Sequence, residues 1–246
     1  MTLSKGSCSG SGKSLLLASS DYGDVTESWF SPEFWGKRAK PVTTGGRGGA
    51  WFIDSETTGM VLRHYKRGGQ MAHLSEKSYL FTGFETTRSV AEFRLLSHLH
   101  DLGLPVPDAV AAIAWRYRLL WYRAAIIVKR VPGAVTFPES ERASDASLWE
   151  ALGRVIRRFH DVGLDHVDLN CDNILVTESQ LYLIDFDRCR LLSGADNKDN
   201  SAWKRKNLER LKRSVTKRFS SLNPAEFQAY WNSLLAGYRP PWGSHI

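Results

Sequence analysis

From residue 29 onward the apolar positions of the chain change period several times, and each change predicts an element. Residues 60–65, Met-Val-Leu-Arg-His-Tyr, alternate as a strand does, whereas residues 88–101 place Val90, Phe93, Leu96 and Leu99 at helical spacing. The segment Leu104-Pro105-Val106-Pro107 stops that helix and turns the chain into further strands over residues 109–131, the most apolar run being residues 124–128. Leu148, Leu152, Val155, Ile156 and Phe159 form the stripe of a core helix. Two short apolar runs, residues 174–176 and 181–184, flank a polar turn and predict a hairpin. Two more helices close the pattern, one carrying Leu208, Leu211, Val215 and Phe219, the other Phe227, Tyr230, Trp231, Leu234 and Tyr238. Residues 1–28 are rich in Ser and Gly and read as a flexible start; residues 70–87 read as a loop with aromatic anchors.

Composition narrows the class of protein. A length of 246 residues is ample for a buried core, and 42% apolar with 24% charged residues excludes general disorder. No apolar run approaches the roughly 20 residues of a spanning helix. Three cysteines (Cys8, Cys171, Cys189) without metal-type spacing support neither a disulfide scaffold nor a zinc site, and fit a reducing cytosol. The net charge of +7 points to an anionic partner, whether nucleic acid, acidic lipid or a phosphorylated substrate. Residues 201–246 hold nine Lys or Arg against two Glu, a surplus equal to that of the whole chain.

The candidate chemistry lies on the predicted hairpin. From His166 the chain reads H-V-D-L-N-C-D-N-I-L-V-T-E-S-Q-L-Y-L-I-D-F-D, which sets Asp168, Asn173 and Asp185 around two strands. Phosphoryl transfer needs these groups: one carboxylate orients the attacking hydroxyl and takes its proton, while an amide and a second carboxylate hold Mg²⁺ against the phosphates. Singly, Asp and Asn here would be turn formers; their joint spacing points to catalysis, with Asp168 the catalytic residue and Asn173 and Asp185 the metal ligands. Upstream, Gly45, Gly46, Gly48 and Gly49 lie between apolar strands, where backbone N–H groups can approach a triphosphate. In Gly12-Lys13-Ser14 a phosphate-binding P-loop would need a Gly at position 7, which is Ser7, and a preceding strand, which is absent.

The hairpin stretch resembles the catalytic loop of protein kinases, H-x-D-x-x-x-x-N, followed by the Asp-Phe-Gly position, here Asp185-Phe186-Asp187. That template wants a cation on the strand at residues 60–65, which alternation assigns to Arg63, with Lys66 the alternative just beyond it. It also wants a helical Glu to pair with that cation, for which Glu92 is the candidate. Lys129 to Gly133 take the place of the hinge, and His166 that of a loop-bracing residue rather than an acid or base. The implied fold is α+β: a flexible segment 1–28, a nucleotide-binding lobe 29–130, and an abbreviated helical catalytic lobe 131–246 with a basic tail.

The stretches V-L-R-H-Y-K-R-G-G, Y-L-F-T-G-F-E-T-T-R, A-E-F-R-L-L-S-H-L with L-P-V-P, H-V-D-L-N-C-D-N-I-L-V and L-I-D-F-D-R-C-R are similar to those of the lipopolysaccharide kinase family, in particular its members that act on 3-deoxy-D-manno-octulosonic acid (Kdo). The resemblance implies an enzyme using ATP and Mg²⁺, peripheral on the cytoplasmic side of a Gram-negative inner membrane. It implies phosphorylation of the 4-hydroxyl of Kdo on a lipid A precursor and no nucleic-acid partner. Val167, Asn170 and Asp187 stand where protein kinases carry Arg, Lys and Gly, which suits a non-protein substrate. The alternatives are a kinase of this fold acting on another small molecule or a protein, and a non-catalytic binding protein whose basic tail holds lipid or nucleic acid. The tail itself, residues 202–218, is expected to bury its apolar stripe in the second lobe and offer Lys204, Arg205, Lys206, Arg210, Lys212, Arg213, Lys217 and Arg218 to an anionic membrane.

Overall fold

The computed structural model describes residues 13–42, 49–55, 58–65, 79–117 and 121–239. The chain divides into two compact units, one of residues 1–102 and 107–132, the other of residues 103–106 and 133–246.

An antiparallel sheet forms the body of the first unit. Its strands are β1 (Ser14–Ala18), β2 (Ala39–Pro41), β3 (Ala50–Asp54), β4 (Gly59–His64), β5 (Tyr79–Leu80), β6 (Ala109–Tyr117) and β7 (Trp121–Lys129), in the order β1-β6-β7-β4-β3-β2, with β5 paired to the start of β7. The expectation of a flexible start is corrected by β1: Ser14 to Ala18 pair with Trp115 to Ala111 of β6. An apolar Leu15-Leu16-Leu17 run finds the open edge of β6, and the Ser and Gly around it masked that tendency. Because Ser14 opens a strand and not a helix, the P-loop reading of its neighbourhood falls away. Part of the expected loop over residues 70–87 is likewise ordered as β5 and a tight turn at Phe84–Thr86.

Alternation along β4 decides what each sheet face does. Met60 and Leu62 are buried on one side with Phe30, Trp35, Ile53 and Val110, so the aromatic segment around the short helix α1 (Pro32–Trp35) caps that face. Arg63, one residue on, points to the opposite face, which is covered by α2 (Arg88–Asp101) through Val90, Phe93, Leu96 and Leu99. Ser89 on α2 donates to the Ile113 carbonyl of β6 at 2.8 Å and fixes the seating of the helix.

The second unit contains β8 (Val135–Thr136), α3 (Ala146–Asp161), β9 (Leu164–Asp165), β10 (Ile174–Val176), β11 (Leu181–Leu183), β12 (Arg190–Leu191), α4 (Ala202–Arg218) and α5 (Pro224–Tyr238). The predicted hairpin is β10 against β11, with Ile174 opposite Leu183 and β8 on its other side. Helices α3 and α5 approach backbone to backbone: a Cβ on Gly153 would lie 2.0 Å from the Leu234 carbonyl oxygen, and one on Gly237 2.0 Å from that of Glu150. Only glycine permits that crossing. Asn223 caps α5 in a reciprocal box with Glu226, and Pro224 opens the helix.

His160, 1% exposed, is enclosed by Trp203 and by Tyr238, whose hydroxyl is 2.7 Å from Nδ1. Burial, with the nearby Lys204 charge, pushes this imidazole down to about 3, and burial also lowers His166. Folding thus favours the neutral rings. Below pH ~6.5 the unfolded chain takes up protons that the folded chain refuses, so stability is complete above that pH and is lost as pH falls. Between pH 6.5 and 5 the unfolding free energy should drop by up to ~1.4 kcal/mol per pH unit for each of these histidines. Denaturant titrations across that window should show a clearly shallower slope for His160→Gln, and an unchanged slope would remove His160 from the acid sensitivity.

Candidate active site

The loop of residues 166–173 is held from below by its own short polar side chains. Asn170 Oδ1 accepts from the backbone N–H groups of Asp172 (3.0 Å) and Asn173 (3.1 Å), capping the turn Cys171–Asn173. The Asp168 carbonyl accepts from Nδ2 of both Asn170 and Asn173, each at 3.0 Å. Asn170, where protein kinases carry Lys, therefore acts as a turn cap. With Nδ2 of Asn173 engaged on the protein, its Oδ1 is the atom suited to a hard cation.

The hairpin ties this loop to the second carboxylate. Ile184 N–H donates to the Asn173 carbonyl at 3.0 Å, and His166 Nε2 lies 3.1 Å from the Ile184 carbonyl. His166 is 1% exposed and packs on Phe186 at 5.2 Å between ring centroids. Its Nδ1 meets no hydrogen-bond partner among the described residues. A neutral ring donating through Nε2 fits these facts and the burial-lowered basicity, so His166 braces the loop. Asp185 follows with φ of 63°, a left-handed conformation that Asp tolerates better than most side chains. Phe186 then turns inward to 1% exposure, which leaves Asp185 at the bend between two anchored residues.

In the first unit Arg63 Nη2 lies 2.5 and 2.6 Å from the two carboxylate oxygens of Glu92, the pairing expected from strand alternation and helical period. Glu92 is 3% exposed and Arg63 27%, so the carboxylate is buried and the cation is its more accessible partner. Tyr65 donates to Glu92 Oε2 at 2.5 Å; burial, then the Glu92 charge, pushes its phenol well above the usual tyrosine range and keeps that donor protonated. Gly49 adopts φ of 142° and its carbonyl accepts from His64 at 2.8 Å, a conformation suited to glycine. Gly45, Gly46, Gly48 and Lys66 lie outside the described residues.

Sequence reading missed the role of α4 in building the loop that carries Asp168. Asn207 bridges Asp165 Oδ1 (2.9 Å) and the His166 N–H (3.0 Å), Arg210 Nη1 lies 3.6 Å from Asp168 Oδ1, Ser214 Oγ accepts from Cys171 N–H (3.0 Å), and Arg218 Nε lies 3.2 Å from Asp172. Residues 207, 210, 214 and 218 recur at three and four and so share one helix face, and that face runs beside the loop from residue 165 to residue 172. The expectation of a wholly free basic face is corrected accordingly. Arg210 and Arg218 face the loop, and Lys204, 3% exposed, is buried beside Trp203 with Asp199 3.9 Å away. The expected apolar stripe also shifts, since Asn207 is buried and Leu208 only half-buried.

Among the described residues no three His, Cys, Asp or Glu side chains are disposed as a metal site. Mg²⁺ in phosphoryl transfer asks less of the protein, one or two oxygen ligands with the phosphates supplying others, and Asn173 with Asp185 matches that donor set.

A strand-borne Arg paired with a helical Glu in one unit, and an Asp–Asn loop with an Asp-Phe-Asp hairpin in the other, define a protein-kinase-like phosphotransferase. The fold is shared with WaaP in complex with acyl carrier protein (TM-score 0.54, 16% identity, 92% of this chain and 89% of that one). It is shared also with a glucosamine kinase in complex with glucosamine, ADP and inorganic phosphate (TM-score 0.55, 11% identity, 92% of this chain and 69% of that one). The chain belongs to the Lipopolysaccharide kinase (Kdo/WaaP) family, whose sequence pattern matches residues 32–238. A 3-deoxy-D-manno-octulosonic acid kinase of Stenotrophomonas maltophilia (strain K279a) is 43% identical over 215 residues, 87% of this chain and 84% of that protein. The enzyme of the same name from Xylella fastidiosa (strain M12) is 46% identical over 190 residues, 76% of this chain and 74% of that protein.

Proposed function

We propose that this protein transfers the γ-phosphoryl group of ATP to the 4-hydroxyl of a Kdo residue on a lipid A precursor, in assembly of the lipopolysaccharide inner core. The carrying observation is Asp168: its carboxylate is 57% exposed while its backbone is held by two asparagine side chains, so a reactive group is presented on a rigid loop. The names of the relatives support the acceptor. Asp168 orients the acceptor hydroxyl and takes its proton as the O–P bond forms. Asn173 and Asp185 hold Mg²⁺, which when bound neutralises charge on the β and γ phosphates. Arg63, steadied by Glu92, binds nucleotide phosphate, and the glycines at 45, 46, 48 and 49 together with Lys66 are assigned to the same nucleotide by the sequence pattern. Incubation with labelled ATP, Mg²⁺ and separate acceptors should label a Kdo-bearing lipid A precursor at the 4-hydroxyl. Label appearing instead on an aminoglycoside or a protein, or on none of the three, overturns the reading.

The same reading places the enzyme peripherally on the cytoplasmic face of the inner membrane. Among the described residues no helix is long and apolar enough to cross a membrane. On the side of α4 away from the catalytic loop, Lys212, Arg213 and Lys217 line a shallow groove with Glu209 and Thr216, and Arg205 and Lys206 are exposed nearby. Each cation near an acidic leaflet contributes up to ~1 kcal/mol, reduced by salt. Co-sedimentation should need anionic vesicles, weaken with salt, and fall when Arg205, Lys206, Arg213 and Lys217 are changed together to Ala; salt-insensitive binding counts against this surface.

A further inference from the structure

Resting on the sugar-acid acceptor of the proposed function, the geometry points to Arg210 as the group that binds the acceptor's carboxylate and makes the enzyme selective for an acid over a neutral sugar. In a 3-deoxy-2-ulosonic acid the ring carbon bearing the carboxylate and the one bearing the 4-hydroxyl are separated by a single methylene. A hydroxyl seated on Asp168 therefore brings the acceptor's carboxylate alongside the Asp168 carboxylate. Two like charges at that range repel, and a cation between them relieves the repulsion.

Arg210 stands at that place. Among the described residues its ion-pair partner is Asp168, at 3.6 Å, which is longer than the 2.7–3.2 Å of a formed N–H···O bond. Its side chain is 46% exposed, and a guanidinium carries five donors in a fork that matches a carboxylate. Arg218, the other α4 cation facing the loop, sits closer, at 3.2 Å, to Asp172, a residue outside the proposed catalytic set. Asn207 and Ser214, on either side of Arg210 along α4, are hydrogen-bonded to the loop, so the helix holds the Arg210 backbone beside it and the guanidinium within reach of Asp168.

Arg210→Gln removes the charge and shortens the side chain but keeps its polarity and helix preference and leaves the Asn207, Ser214 and Arg218 ties in place, so its thermal melting should match the unaltered protein. It should raise KM for the Kdo acceptor by about 10- to 100-fold, as expected for losing hydrogen bonds to a charged group. KM for ATP should stay constant, kcat should change little, and Arg210→Lys should fall between the two proteins. The discriminating arm is an acceptor whose carboxylate is replaced by a carboxamide. The unaltered protein should lose most of its kcat/KM on the amide, whereas Arg210→Gln should treat acid and amide alike. An equal loss on both acceptors, or a fall in kcat at constant acceptor KM, shows that Arg210 acts on Asp168 or the phosphoryl group and overturns the assignment. Discrimination that survives in Arg210→Gln overturns it as well and leaves the kinase reading standing. Failure of the unaltered protein to phosphorylate the acid acceptor overturns the function and the assignment together.

Discussion

Asp168→Ala should lower kcat by at least ~10²-fold while the protein stays folded. The side chain is more than half exposed, and its ion pair with Arg210 spans 3.6 Å at the surface. Exposed pairs of that kind contribute about 0–1 kcal/mol. The bonds that shape the loop use the Asp168 backbone carbonyl, not the carboxylate, and survive the substitution. A loss of ~10²-fold corresponds to about 2.7 kcal/mol of transition-state stabilisation, more than the fold derives from this carboxylate. Catalysis and stability should therefore separate: turnover collapses, while the melting temperature and the KM for ATP change little. Turnover near that of the unaltered protein, in a folded Asp168→Ala variant, would remove this residue from the catalytic role.

Asp185→Asn should be comparably damaging through a different term. Asn is the substitution of choice because the position has φ of 63°, which Asn adopts readily, so the backbone between Ile184 and Phe186 is retained and only the charge is lost. Removing the single negative charge of a two-ligand metal set costs electrostatic stabilisation worth several kcal/mol at the phosphates, which corresponds to a fall in kcat of ~10²-fold or more. The Mg²⁺ concentration for half-maximal rate should rise at the same time, a shift that a purely structural defect would not produce. Asn173→Ala should show the same metal signature, together with loosening of the loop, because its Nδ2 is bonded to Asp168. Its effect should combine non-additively with that of Asp185→Asn, since both residues serve one ion. An Asp185→Asn enzyme with unchanged Mg²⁺ dependence would transfer the metal role elsewhere.

The division between what could be read from the chain and what could not follows the range of the interactions. Asp168, Asn173 and Asp185 were legible because a short loop and a hairpin place them, and turn chemistry with period-2 alternation fixes both. Arg63 and Glu92 lie 29 positions apart, yet each is set by the phase of its own element, β4 alternation and the helical period of α2, so their pairing also emerged. The strand β1 was not legible, because whether Leu15-Leu16-Leu17 pairs depends on an edge that residues 109–117 supply. The face of α4 was the larger omission. Its amphipathic pattern with eight cations reads as a surface helix whose charges face solvent. Yet Asn207, Arg210, Ser214 and Arg218 meet residues more than 40 positions upstream, and the buried Lys204 breaks the rule that lysines stay outside. Local periodicity by itself determined the longer elements, the placing of Asp168, Asn173 and Asp185 around the hairpin, and the Arg63–Glu92 pair. Only the tertiary structure decided which of the basic residues stand over the catalytic loop, since helix rotation is set by long-range packing that no short window of sequence contains.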